Sequence, residues 1–134
     1  METLNTFGFT QQLVKHRTEL RFLSDEIEMI KRFLKANFPK YFADEAEVNR
    51  AQLLYNRLAS LKLVHQNIVR NHTQHYKNMA NKSNAFLELE SARITDEVKD
   101  LTKNLDRLKR EMYVFFDNSA VQEANLENTE FQLD

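Results

Sequence analysis

Apolar side chains recur in the first third of the chain as Phe9, Leu13, Leu20, Leu23, Ile27, Ile30 and Leu34. Steps of three and four residues put them on one stripe of a helix, the a and d positions of a heptad, with His16 in the vacant d position. Pro39 ends this helix, because it lacks an N–H and restricts the residue before it. A second seam reads Ala51, Leu54, Leu58, Leu61, His65, Ile68, His72, His75 and Met79. Asp44, three residues before Glu47, resembles a capping box and marks its start. A third seam reads Leu87, Ser91, Ile94, Val98, Leu101, Leu105, Leu108, Met112 and Phe115. It is one residue out of phase with the second. A continuous helix would carry the second seam onto Arg93, where it fails. Lys77 and Lys82 before the change of phase, a capping Ser83 or Asn84, and Glu88 and Glu90 after it suit two helix ends. A turn is therefore expected, in preference to one long helix with a skip.

The pattern predicts an all-α fold, an elongated antiparallel three-helix bundle with helices at about 10–38, 44–82 and 84–118. Residues 1–118 form the bundle, with 1–9 as a cap or arm. The acidic segment 119–134 is expected to fray. Folding at the two connectors brings His16 level with His65, and His65 level with Leu101. Flanking charges then pair Glu26 with Arg57, Glu97 with Arg17 and Glu111 with Lys31. In this register the second helix outruns the first. Residues 72–79 are left facing Leu4, Phe7 and Phe9, or a second copy of the chain.

Composition agrees with the periodicity. One Gly and one Pro in 134 residues leave too few turn signals for a β fold. Apolar residues make up 42% and charged residues 29%, which suits a packed chain rather than a disordered one. The absence of Cys removes disulfides, thiolate metal sites and Cys nucleophiles. The first residues lack the basic and apolar regions of a secretory signal. No apolar run reaches the roughly 20 residues of a membrane span. A cytoplasmic setting without membrane contact is the expectation.

Four features carry candidate chemistry. The first is the set of seam histidines, His16, His65, His72 and His75. His72 and His75 share a helix face, and Glu90 is the nearest candidate third ligand for a metal ion. The plainer reading is a row of neutral, hydrogen-bonded seam histidines. Desolvation would lower their pKa values and make stability fall in acid. The second feature is an aromatic end. Phe33, Phe38, Tyr41, Phe42, Tyr113, Phe115 and Phe116 gather there, as a plug or, through Phe38, Tyr41, Phe42, Tyr113 and Phe116, as an interaction surface. The third is the acid-free stretch 48–87, with Arg50, Lys62, Arg70, Lys77 and Lys82 as a basic face. A net charge of −1 and the dispersal of these cations disfavour nucleic acid. The fourth is the acidic tail, whose Phe131 and Leu133 are a weak docking signal. No Gly-rich phosphate loop, Ser elbow or Glu-x-x-His di-iron motif is present, so no enzyme activity and no cofactor are expected. The expected role is a non-catalytic structural or protein-interaction module, with a protein partner or itself as homodimer. A metal- or pH-responsive bundle is the alternative, and a weak polyanion binder is the third reading.

Overall fold

The computed structural model describes the backbone of residues 2–37 and 44–133, and the side chains of 8–37 and 44–117. Three helices follow one another: α1, Glu2–Asn37; α2, Glu45–Asn78; and α3, Asn84–Leu133. Each packs against the other two. The all-α three-helix bundle read from the seams is the observed architecture.

Two ends are longer than the periodicity suggests. Helix α1 starts at Glu2, so the segment expected as a cap or arm is its first two turns. Helix α3 continues to Leu133 through the segment expected to fray. Residues 119–133 thin out in apolar content but hold neither Pro nor Gly, and Ala, Leu, Glu and Gln sustain a helix without a breaker.

The connector between α2 and α3 is a turn, as the phase change requires. Met79 closes α2 in right-handed geometry, donating its N–H to the Tyr76 carbonyl at 3.3 Å. The N–H groups of Asn81 and Lys82 both bond the Asn78 carbonyl. Ser83 then caps α3: its Oγ accepts the Phe86 N–H at 3.2 Å, and its carbonyl accepts the Leu87 N–H. Asp44 caps α2 in the same way, its carboxylate accepting the Glu47 N–H at 2.8 Å.

The predicted seams are the core. The main cluster runs from Leu20 to Leu34 on α1, through Leu54, Leu58 and Ile68 on α2, and from Ile94 to Phe116 on α3. Phe9, Leu13 and Leu87 are buried near the α2–α3 turn but stand outside that cluster. Between the two lies a polar layer containing the buried side chains of His16, His75 and Ser91. At the opposite end Phe33 meets Tyr113 and Phe116 edge to face, with ring centroids 5.8 and 5.2 Å apart. Phe115 meets Phe116 in the same manner. Phe116, placed on an interaction surface by the sequence reading, is buried there as part of the plug; Tyr113 keeps 47% of its surface. Phe38, Tyr41 and Phe42 lie outside the described residues.

The helices are arranged with the other hand from the one the charges suggested. Glu26 pairs with Lys109 of α3 at 2.6 Å, not with Arg57. Arg57 pairs instead with Glu111. Glu97 bonds Asn71 and lies by Arg93 of its own helix, not by Arg17. In heptad terms, g positions of α2 face g positions of α3, and g of α1 faces e of α3. The flanks of α1 carry both signs, so opposite charges were available in either mirror arrangement and could not choose between them.

Candidate functional site

The seam histidines are carried by α1 and α2, and two of them, His65 and His72, use a ring nitrogen in the same way. His65 Nε2 lies 2.8 Å from the Leu20 carbonyl oxygen, and His72 Nε2 lies 2.9 Å from that of Leu13. A carbonyl only accepts, so both histidines carry a proton on Nε2 and donate it. Residues 65 and 72, like 13 and 20, are seven apart, so the two bonds repeat with the heptad and fasten α2 to the α1 backbone. Level with them, His16 Nε2 sits 2.8 Å from Thr95 Oγ of α3. Thr95 already donates its hydroxyl to the Ser91 carbonyl at 3.0 Å, which leaves its oxygen to accept from His16. Ser91 donates in turn to the Gln12 side chain. His16 is beside His72, ring centroids 6.3 Å apart, rather than beside His65 as the first register proposed. The overhang expected at residues 72–79 is absent as well: α1 extends far enough for Leu13 to receive His72, and Phe9 is buried.

Two buried ring nitrogens in this layer have no hydrogen-bond partner among the described residues: Nδ1 of His16 and Nδ1 of His75. Burial, reinforced by the nearby His72, His75 and Lys15, lowers the His16 pKa from 6.5 to about 4. Burial also lowers that of His75, opposed by Glu90 and assisted by His72 and Arg93. The predicted metal set is not assembled. Among the described residues no three His, Cys, Asp or Glu side chains gather to hold an ion. His72 turns its Nε2 to α1, and Glu90 is engaged by Arg93 at 2.9 Å.

The predicted basic face has a different character. Arg50, Lys62, Arg70, Lys77 and Lys82 are all exposed, and none makes an ion pair with a described residue. Lys82 instead stands over the Phe86 ring, 5.5 Å from its centroid. Among these cations lie exposed apolar side chains, with Leu53 and Leu63 each 62% exposed and Val64, Val69 and Tyr76 close to Lys62, Arg70 and Lys77 in the sequence. The sequence reading took this stretch as cations alone and missed the exposed leucines. The signal was present, since Leu53 and Leu63 fall outside the a and d positions of their own seam. No described helix is long and apolar enough to cross a membrane. No family model, curated protein or solved structure matches the chain.

Proposed function

We propose that the chain is a non-catalytic interaction module that associates with itself or with a protein partner through the outer face of α2. The observation that carries this reading is the exposure of Leu53 and Leu63 among Arg50, Lys62, Arg70 and Lys77, none of which makes an ion pair with a described residue. Each such leucine leaves about 1–2 kcal/mol of transfer free energy unrealised until something covers it. An apolar centre within a polar, solvent-accessible rim is the usual anatomy of an interface. The test is the substitution of Leu53 and Leu63 by Glu, one at a time. Thermal stability is expected to stay within about 0.5 kcal/mol of the parent, as for other surface positions. Association, followed by light scattering, is expected to weaken. Association that survives both substitutions unchanged would remove α2 from the interface.

A second reading is favoured by the unpartnered Nδ1 atoms of His16 and His75: a bundle whose stability responds to protons. It requires the two histidines to remain neutral at pH 7 and to charge only as the layer opens.

A further inference from the structure

We propose that the acidic C-terminal length of α3 in one copy docks on the outer face of α2 in a second copy. The proposal rests on the interaction-module reading and names its partner. On α2 the heptad position that points directly away from the bundle is occupied by Asn49, Asn56, Leu63, Arg70 and Lys77. Arg70 and Lys77 are seven residues apart, about 10.5 Å along the helix. No acid follows Glu47 on this helix to neutralise them.

The complementary pattern lies further along the same chain. After Arg110 there is no Lys or Arg, and Glu123, Glu127, Glu130 and Asp134 follow at steps of four, three and four. In a helix that spacing makes a single acidic stripe, with Leu126 and Leu133 at neighbouring register positions. Glu123 and Glu130 match the interval between Arg70 and Lys77. One interface would thus join heptad-spaced anions to heptad-spaced cations.

Geometry makes the contact intermolecular. The register that pairs Arg57 with Glu111 puts Glu45, the first residue of α2, level with about residue 123 of α3. The α3 backbone therefore runs on for about 15 Å past the start of α2. Arg70 lies in the opposite direction, level with about residue 98, so Glu123 is about 37 Å from it within one molecule. Only another copy can bring the two together. A nucleic-acid strand would also satisfy the cations, but the heptad interval shared by Glu123, Glu130, Arg70 and Lys77 matches helix to helix, and a net charge of −1 gives a polyanion no general attraction.

The experiment uses the full chain and two charge-reversed variants. One is Arg70→Glu/Lys77→Glu, and the other is Glu123→Lys/Glu127→Lys/Glu130→Lys; a thermal melt checks that each folds. By light scattering the parent is expected to exceed the monomer mass of 15.9 kDa in dilute salt. It should return toward that mass in about 0.5 M NaCl, where the screening length is only a few ångströms. Each variant alone should lose association by about tenfold or more. An equimolar mixture should recover it, because each copy then meets the opposite charge on its neighbour at both contacts. Association that persists in both variants would overturn this proposal and leave the interaction-module reading in place. A parent that stays at 15.9 kDa under all conditions overturns the docking and the self-association together. Labelled DNA or RNA that binds the parent and is released by Arg70→Glu/Lys77→Glu would assign these cations to a polyanion and overturn the docking alone.

Discussion

His16 carries its proton on Nε2 because Thr95 has no hydrogen left to give, and its Nδ1 faces the interior without a donor. The unfolded chain takes up a second proton on this ring near pH 6.5, whereas the folded chain resists it until about 4. Between those values the unfolded state binds more protons, so stability falls as pH drops from about 6.5 toward 4 and levels off below. The full effect of His16 is on the order of 3 kcal/mol, and the lowered pKa of His75 acts in the same direction. The midpoint of thermal unfolding should therefore be lower at pH 5.5 than at pH 7.5, and His16→Leu should flatten that difference. An equal difference in the variant would acquit His16. Part of this was legible in the sequence. The heptad put all four histidines on the seams, and the direction of the shift at His16 and His75 followed from burial. Which nitrogen meets which acceptor was not legible, because Leu13 and Leu20 bind through main-chain oxygens that no residue pattern announces.

At the scale of the helix, end groups and one interior glycine set the local stability. Asp44→Ala and Ser83→Ala each remove the acceptor that holds an otherwise unpaired N–H. Each should cost about 1 kcal/mol, measurable by chemical denaturation. Gly8 lies inside α1, and a Cβ built there meets no heavy atom within 4 Å. Gly8→Ala should therefore stabilise the chain by about 0.5–1 kcal/mol and raise the melting midpoint; a lower midpoint would show that α1 does not run through residue 8 as an unhindered helix. Both caps could be seen in the sequence, because Asp and Ser stand where a seam begins. The outer limits of α1 and α3 could not, because fading apolar content was taken for the end of the helix. Neither Pro nor Gly follows Asn84, so nothing in the sequence marks a sharp stop for α3.

For the whole molecule, the side of the α1–α2 hairpin on which α3 lies distinguishes the observed bundle from its mirror arrangement. The decisive contacts are Glu26 with Lys109, largely buried at 13% and 21% side-chain exposure, and Arg57 with Glu111. The hydrogen bond that Lys109 donates to Glu26 raises the Lys109 pKa, outweighing the opposing effect of burial. Removing one partner leaves the other charge half-buried, so Glu26→Gln and Lys109→Met should each destabilise by about 1–3 kcal/mol. In denaturant titrations a double-mutant cycle should find coupling between residues 26 and 109 and almost none between 26 and 57. The reverse result would restore the mirror arrangement. Surface charges alone could not make this choice, since cations flank Glu26 on both neighbouring helices. The alignment of α1 with α2 is fixed differently, by two imidazoles that donate to main-chain oxygens. Every residue at position 13 or 20 brings the same oxygen. The instructions for lining up this pair of helices are thus written on α2 only: substitutions at Leu13 or Leu20 change how well the hairpin packs, while those at His65 or His72 decide where it stops sliding.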